Sequence, residues 1–286
     1  MKNFTFIRPD TLAEALKAKE RGGVKAHALA GGTNLMSYIK TGVFTEGALI
    51  DVTRLGELKV VARRGDTLEI GAGATIAELL DNPLVTEAVP FFAEALRKFA
   101  NPLIRNKATI GGNLADASPI ADTAPILLVL DAVITARSAS GSRELPLREF
   151  FVAPRRTVLA PEELLTRISF RIPGKAETVT FLKMGLRNGT ACSVTSAAAF
   201  LGLENGKAKT VRVALGGVAP RPVRARTAEA ALAGKEPTMA ACAASAERAR
   251  ADISPISDVR GSAEYRNDLA VTLVKRGLAL CAGLEV

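Results

Sequence analysis

Along the first part of the chain, short apolar runs alternate with stretches whose apolar residues have helical spacing. Between the first two runs, Thr11 with Glu14 three residues later is a capping-box pattern, which predicts a helix beginning at Leu12. The runs predicted as strands cover residues 4–8, 25–30 and 49–52. Three short strands around helices predict a small α/β unit over residues 1–55.

Hairpins and helices mix in the rest of the chain. Two alternating runs flank Arg64-Gly65-Asp66 and predict a β-hairpin, and Pro173-Gly174 predicts a boundary between units 56–173 and 174–286. Further strands are predicted at residues 133–137, 145–150, 168–172, 178–184, 197–203 and 211–215, and helices at 76–80, 90–99, 124–130, 227–233, 239–251 and 263–282. This mixture predicts an α+β fold.

Composition limits the class of protein. Of the 286 residues, 48% are hydrophobic and 23% charged, a balance that excludes intrinsic disorder. The cysteines Cys192, Cys242 and Cys281 lie far apart, so we expect buried small hydrophobes and no metal or iron–sulfur site in this chain. The single histidine, His27, is expected to be structural or on the surface. No apolar stretch is long enough to span a bilayer and no signal region opens the chain, which favours a cytoplasmic protein.

The net charge of +9 raises the question of nucleic-acid binding. Aromatic residues make up only 5% of the chain, so few side chains are available to stack on bases. The basic residues are also spread along the chain, which argues against a nucleic-acid partner. The basic stretch 221–226 is interpreted as a solvated loop, with a docking patch as the alternative.

A glycine pair follows the second predicted strand, in the segment Ala28-Leu29-Ala30-Gly31-Gly32-Thr33-Asn34-Leu35. Glycines allow positive φ and close backbone approach, and the exposed N–H groups of such a turn form an anion-binding concavity. A helix N-terminus adds partial positive charge for a phosphate. The alternative is a turn that uses glycine for geometry alone.

A second glycine pair lies in Thr109-Ile110-Gly111-Gly112-Asn113, which we interpret as a second loop. Its paired amides are predicted to hold a diphosphate, with Asp122 accepting hydrogen bonds from ribose or ribitol hydroxyls. Alternatively, Asp122 is only the N-cap of the helix predicted at 124–130. Neither segment has the spacing of a Rossmann or P-loop motif.

The two segments resemble those of a known family. Ala30-Gly31-Gly32-Thr33, followed by Ile104-Arg105-Asn106 and Thr109–Asn113, is similar to the pattern of the FAD-binding medium subunits of molybdenum hydroxylases. That family includes the flavoprotein subunits of carbon monoxide dehydrogenase, 4-hydroxybenzoyl-CoA reductase and bacterial xanthine dehydrogenases. Residues 256–266 resemble the signature of its C-terminal domain. Asn34 stands where the family frequently has Asp, and Leu103 where Gln is common.

The resemblance implies a two-part FAD-binding fold of the vanillyl-alcohol-oxidase/PCMH type. Units 1–55 and 56–173 would form its two parts, with FAD extended between them. Unit 174–286 would be a C-terminal flavoprotein domain of a three-stranded sheet with a helical bundle.

The resemblance also implies which residues bind FAD. Residues 28–35 and 109–113 would hold the diphosphate and its neighbours, mainly through backbone amides. Phe99 would lie beside the cofactor, Asp122 would bind a cofactor hydroxyl, and Leu165, Lys183 and Arg187 would lie near the isoalloxazine. The implied set, apart from Arg187, is Ala28, Leu29, Ala30, Gly31, Gly32, Thr33, Asn34, Leu35, Phe99, Thr109, Ile110, Gly111, Gly112, Asn113, Asp122, Leu165 and Lys183.

The implied function is electron transfer within a complex, proposed as a dimer of heterotrimers. A large subunit would carry the molybdenum cofactor, a small subunit [2Fe–2S] clusters, and this chain an FAD that exchanges electrons with an external partner: NAD, a quinone, oxygen or a ferredoxin. No catalytic acid or base is expected here, because the flavin supplies the redox chemistry. Two alternatives stay open: a standalone flavin-dependent oxidoreductase of the same fold, and a non-enzymatic nucleic-acid-binding or scaffold protein.

Overall fold

A computed structural model describes residues 3–187 and 191–286 of the chain. Its first sheet is parallel, with strand order β1-β3-β2. The elements in this region are β1 (Phe4–Ile7), α1 (Leu12–Gly22), β2 (Ala26–Leu29), α2 (Leu35–Lys40) and β3 (Gly47–Asp51). The predicted α/β arrangement of this region is therefore confirmed.

Helix α1 begins where the sequence predicts. The Thr11 hydroxyl accepts a hydrogen bond from the Glu14 backbone N–H at 3.2 Å. The Glu14 carboxylate accepts from the backbone N–H of Asp10 at 2.9 Å, so the reciprocal bond is made one residue before the N-cap. Leu12 and Leu16 are buried against the first sheet, and this contact fixes the helix on one face of it.

The second sheet is antiparallel, with strand order β4-β5-β10-β6-β7. The elements from residue 61 to residue 171 are β4 (Val61–Arg64), β5 (Thr67–Gly71), α3 (Ile76–Leu80), α4 (Pro83–Thr86), α5 (Pro90–Arg97), α6 (Pro102–Arg105), α7 (Ile110–Ala115), α8 (Thr123–Val129), β6 (Val133–Ser138), β7 (Gly141–Pro146), β8 (Phe151–Ala153), β9 (Arg156–Thr157) and β10 (Leu164–Arg171). Strands β8 and β9 form a separate small hairpin.

One strand prediction in this region is wrong. Residues 145–150 were expected to be extended, but β7 ends at Pro146 and residues 147–149 form a 3₁₀ turn. Leu147 and Phe150 are both fully buried. The turn directs both apolar side chains into the core. A short buried strand has a similar apolar pattern, so the sequence alone does not distinguish the two.

The third sheet is antiparallel, with order β11-β12-β13-β14, and three helices pack near it. Its elements are β11 (Glu177–Gly185), β12 (Ser193–Glu204), β13 (Lys207–Gly216), β14 (Val223–Arg224), α9 (Arg226–Leu232), α10 (Met239–Arg248) and α11 (Ala263–Cys281). The three long strands match the three-stranded sheet that the family resemblance implies, and the two-residue β14 extends it at the edge.

The second and third sheets share one apolar core. Phe181 and Phe200 of the third sheet are buried in the same cluster as Ile126 of helix α8. Lys98 also donates a hydrogen bond from its ammonium to the Phe181 carbonyl at 2.8 Å. The start of the third sheet is therefore held against the region that contains the second glycine segment.

The basic stretch 221–226 is not simply a solvated loop. The Arg224 side chain is only 6% exposed, and its Nε lies 2.5 Å from a Glu229 carboxylate oxygen. Its Nη1 lies 2.8 Å from an Asp131 carboxylate oxygen, and Arg221 donates to the Phe151 carbonyl at 2.9 Å. Arg221 and Arg224 join the segment around β14 to the second sheet region, so the interpretation as a solvated loop is wrong for both residues.

Two further predictions concern cysteines and membrane spans. Cys242 and Cys281 are buried as expected, whereas Cys192 is exposed. The expectation of burial is wrong for Cys192, because this residue directly precedes β12 and lines a cleft. Among the described residues, no helix combines the length and the apolar character needed to cross a bilayer.

Candidate flavin site

A cleft of ≈ 770 Å³ lies where the first sheet, the second sheet region and the start of β12 meet. This volume falls within the usual range of ligand pockets. The cleft contains most of the residues expected to bind FAD: Ala28, Ala30, Gly31, Gly32, Thr33, Asn34, Leu35, Phe99, Thr109, Gly111, Gly112, Asn113, Asp122 and Leu165. The fold therefore brings two glycine segments about 80 residues apart in sequence to one site.

Three of the expected residues do not line this cleft. Ile110 is fully buried in the apolar core, and Leu29 pairs with Asp51 in the first sheet. Lys183 lies behind Asp122, with its ammonium 2.5 Å from the Asp122 carboxylate. Arg187, the further candidate near the isoalloxazine, is exposed and directly precedes the undescribed residues 188–190.

The first glycine segment is an open turn between β2 and α2. Gly32 has a φ of +68°, the left-handed conformation that glycine adopts without strain. A Cβ at Gly31 would overlap the carbonyl oxygen of Lys107, so this glycine lets the two cleft segments touch. The backbone N–H groups of residues 31–34 donate to no acceptor among the described residues. Consecutive free amides beside a left-handed residue form an anion-binding concavity.

The second glycine segment is not a loop. Residues Ile110–Ala115 form the short helix α7, and the Thr109 hydroxyl caps it by accepting from the Gly112 N–H at 3.0 Å. The predicted loop is wrong because these glycines lie in the first helical turn.

The amides of the second segment already have protein acceptors. The N–H groups of Ile110 and Gly111 donate to the carbonyls of Ala74 and Ala72, at 3.0 and 2.9 Å. The Asn113 N–H donates to the Thr109 carbonyl at 3.0 Å. A Cβ at Gly111 would lie 2.5 Å from the Ala72 Cβ, so this glycine is needed for packing. Of the two segments, the first is therefore the one with free amides.

Side chains connect the two segments across the cleft. The Asn34 amide donates to an Asp116 carboxylate oxygen at 2.8 Å, and Tyr38 also hydrogen-bonds to Asp116. Burial, with a further contribution from the Asp116 charge, raises the pKa of Tyr38 to about 12. The Asp116 carboxylate therefore receives hydrogen bonds from two neutral donors, which hold the end of α7 against the start of α2.

A buried ion pair joins the cleft to the third sheet. Asp122 and Lys183 are 10% and 8% exposed, and the Ser193 hydroxyl donates to the other Asp122 oxygen at 2.5 Å. The Lys183 ammonium also donates to the Lys98 carbonyl at 3.2 Å. Burial raises the pKa of Asp122, whereas Lys183 and Ser193 act in the opposite direction. The Asp122 side chain does not cap helix α8, so that alternative is wrong.

Phe99 and Leu165 present apolar surface to the cleft. Both are 8% exposed, and the Phe99 carbonyl accepts a hydrogen bond from Arg105 at 2.8 Å. Leu165 lies in β10, beside an irregularity in its pairing with β6. Both therefore offer apolar contact surface to a planar ring system in the cleft.

Several cleft residues were not identified from the sequence. His27 lies against Phe44, with ring centroids 4.4 Å apart, and burial together with the Lys19 charge lowers the His27 pKa. Tyr38 also lines the cleft. No local motif marks these residues as a group, because Phe44 follows α2 and the others lie on separate elements.

The donors of this cleft fit a diphosphate dinucleotide. Free amides at residues 31–34 offer donors to phosphate oxygens, and the carbonyl-lined backbone at Gly31 leaves no room for any side chain there. Asp122 supplies a carboxylate for hydroxyl groups, and Phe99 supplies an aromatic surface. Among the described residues, no group of His, Cys, Asp or Glu is arranged to hold a metal ion.

Comparisons with known proteins agree with this site. Residues 2–173 match the family described as the FAD binding domain in molybdopterin dehydrogenase, and residues 180–280 match the CO dehydrogenase flavoprotein C-terminal domain. The chain belongs to the family of FAD-binding medium subunits of molybdenum hydroxylases. It is therefore an oxidoreductase subunit whose cofactor is FAD, and the resemblance found in the sequence is confirmed.

Individual relatives align along nearly the whole chain. The carbon monoxide dehydrogenase medium chain of Hydrogenophaga pseudoflava is 31% identical over 276 residues, 96% of each chain. Subunit alpha of the 6-hydroxypseudooxynicotine dehydrogenase complex of Paenarthrobacter nicotinovorans is 31% identical, covering 97% of this chain and 94% of that one. A solved structure of carbon monoxide dehydrogenase from H. pseudoflava superposes with a TM-score of 0.95, at 31% identity over 98% of each chain. The α+β fold of the vanillyl-alcohol-oxidase/PCMH type is thus confirmed.

Proposed function

We propose that this chain binds one FAD in the cleft and passes electrons between [2Fe–2S] clusters of a small partner subunit and an external redox partner. The observation that carries the proposal is the meeting of the two glycine segments, which leaves a row of free amides beside Asp122 and Phe99. Family membership and the relatives named as medium chains support it.

The diphosphate is placed at the turn of residues 31–34. Its negative charge is stabilised there by backbone N–H dipoles that have no other acceptor among the described residues. The second segment shapes the opposite wall through Gly112 and Asn113 and contributes few free amides. This division changes the expectation that both segments bind phosphate mainly through their backbone.

The remaining contacts orient the rest of the cofactor. Asp122 accepts hydrogen bonds from a cofactor hydroxyl, while Phe99 and Leu165 contact the isoalloxazine side, with Lys183 acting on that end through Asp122. FAD, when bound, supplies the redox chemistry. The protein binds, orients and shields it, and the buried Asp122–Lys183 pair keeps the third sheet fixed over that part of the cleft.

The proposed complex has the composition that the family resemblance implies. A large subunit carries the molybdenum cofactor and selects the substrate, and two heterotrimers associate. Units 1–55 and 56–173 form the two parts that enclose FAD, and unit 174–286 closes over it. The complex is proposed to work in the cytoplasm.

Two measurements test this function. The purified full chain should carry a flavin absorbance band near ~450 nm, released as FAD on denaturation. In the purified complex, the substrate of the large subunit should bleach this band, and omission of the small subunit should prevent the bleaching. A chain that folds but retains no flavin would contradict the proposal, as would bleaching at an equal rate without the small subunit.

A further inference from the structure

Two arginines at the turn of a small hairpin line the same cleft as the free-amide turn of residues 31–34. Arg155 directly precedes β9 and Arg156 is its first residue, and both line the cleft that Gly31, Gly32 and Thr33 also line. Both arginines are exposed, and neither forms an ion pair with a described carboxylate. Nearby Arg143, by contrast, is paired with Glu163 at 2.7 Å. The cleft therefore has two cations available to an anion.

Arg155 is held in place from two sides. Its guanidinium carbon lies 5.7 Å from the centre of the Tyr38 ring, a cation–π arrangement, and its backbone N–H donates to the Ala117 carbonyl at 3.1 Å. Its φ is +61°, a left-handed conformation that is strained for a residue other than glycine. Such strain persists where surrounding contacts enforce it, and it is concentrated at functional sites.

The surrounding charges leave these arginines free to bind a ligand. The carboxylates that line the cleft already have other partners. Asp116 accepts hydrogen bonds from Asn34 and Tyr38, Asp122 is paired with Lys183, and Glu163 is paired with Arg143. The Arg155 guanidinium lies over the Tyr38 ring and forms no ion pair with Asp116 within the part of the chain that the structure describes. A diphosphate at residues 31–34 would lie between amide donors on one wall and guanidinium groups on the other.

We infer that Arg155 and Arg156 form an arginine clamp, which binds the FAD diphosphate from the side opposite the amides of residues 31–34. Guanidinium groups match phosphate oxygens with two parallel hydrogen bonds and keep their charge at any physiological pH. The inference rests on the proposed function, because it assumes FAD in this cleft. Tyr38 is a positioning residue, since it acts on the ligand through Arg155.

The test compares ligands with and without a diphosphate. The full chain is stripped of flavin and titrated with FAD and with riboflavin, which has the same ring system and no phosphate. The variants are Arg155→Gly, Arg156→Gln and the double variant, with Arg148→Gln as control, because Arg148 is exposed, pairs with Glu149 and lies outside the cleft. Glycine suits a φ of +61°, so Arg155→Gly should fold at least as well as the parent.

Each clamp variant should weaken FAD binding about tenfold, the effect of losing one charge-assisted hydrogen bond. Riboflavin affinity should not change, and the salt dependence of FAD binding should become shallower. Tyr38→Phe keeps the aromatic face, so this variant should bind FAD as the parent does. Tyr38→Leu removes the face and should weaken FAD binding without changing riboflavin binding.

Two results would overturn the clamp: FAD affinity unchanged in the double variant, or an equal loss of FAD and riboflavin affinity. The second result would show damage to the cleft as a whole. Failure of the unmodified chain to bind FAD would instead refute the proposed function, so the two failures are distinguishable. Melting temperatures of all variants, measured without flavin, confirm that the proteins compared are folded.

Discussion

The turn at residues 31–34 and the helix start at 109–113 line the same cleft, yet their backbone N–H groups are in opposite states. The amides of the turn have no acceptor among the described residues, whereas those of Ile110, Gly111, Gly112 and Asn113 all donate within the protein. The two sequences look alike because each contains a glycine pair flanked by Thr and Asn. Their chemistry differs because one pair precedes a helix and the other lies inside one.

This difference shows that a glycine can be required for packing, for backbone conformation or for ligand approach. Gly31 and Gly111 are packing glycines, since a Cβ at either position would meet backbone atoms of a neighbouring segment. Gly32 is required for its left-handed conformation. Loss of FAD after substitution of a packing glycine would therefore say little about the ligand, and substitutions elsewhere are more informative.

The largest loss of stability is expected from Lys183→Met, because Lys183 pairs with the buried carboxylate of Asp122. Asp122 follows the second segment in the chain, and the first segment has no comparable buried ion pair among the described residues. Removing the ammonium leaves the Asp122 carboxylate buried and unpaired, which should lower the free energy of unfolding by about 3–5 kcal/mol at neutral pH. Urea denaturation of the full chain measures this loss. Lys59→Met is the control: its partner is Glu78 and both side chains are substantially exposed, so little change is expected.

The loss in Lys183→Met should shrink as the pH falls. Burial raises the pKa of Asp122 in the folded chain, and removal of Lys183 takes away a group that lowers this pKa. The folded variant therefore binds a proton at a higher pH than the unfolded chain does, and protonation removes the unpaired charge. Urea denaturation at pH 8 and at pH 5 measures the free energy of unfolding with Asp122 more ionised and more protonated. If variant and parent differ by the same free energy at both pH values, the assignment to Asp122 is contradicted.

A packing substitution should have a somewhat smaller effect. In Gly111→Ala the new Cβ meets Ala72, and overpacking of this kind costs about 1–3 kcal/mol of folding free energy. Thermal denaturation without flavin should already show the loss, since no ligand is needed for the clash. A variant as stable as the parent but unable to bind FAD would show that Gly111 is needed for ligand approach. The distinction drawn between the two segments would then be wrong.

The helix cap of the second segment offers a milder test. Thr109→Ala removes the hydroxyl that accepts from the Gly112 N–H and should cost about 1 kcal/mol of stability. Asn34→Ala at the start of α2 removes no cap, because the Asn34 side chain bonds to Asp116 instead. Its effect should be smaller, and chemical denaturation of the two variants in parallel would show the order. The reverse order would contradict the assignment of a helix cap to Thr109 and of none to Asn34.

Much of the fold follows from local sequence signals. Thr11 and Glu14 locate the start of α1, and the predicted hairpin around Arg64-Gly65-Asp66 is formed by β4 and β5. The strand prediction at 145–150 was wrong because Leu147 and Phe150 are buried although they lie in and after a 3₁₀ turn. Helix α7 was missed because glycine is a poor helix former, and here tertiary packing overrides that preference.

The site was predictable only in part for the same reason. The family pattern identifies residues 28–35, 109–113 and Asp122, and most of them line the cleft. Arg155 and Arg156 carry no local signal, because only the folded hairpin brings them into the cleft that residues 31–34 also line. The state of each amide also depends on partners such as Ala72, about 40 residues earlier in the chain.

Amide hydrogen exchange of the full chain, with and without FAD, tests the central claim most directly. Residues 31–34 should exchange fast without FAD and become protected when it binds, because the diphosphate gives their N–H groups an acceptor. Residues 110–113 should be protected in both states, since protein carbonyls and the Thr109 hydroxyl already accept from them. Equal gains of protection in the two segments on FAD binding would contradict the division of roles between them.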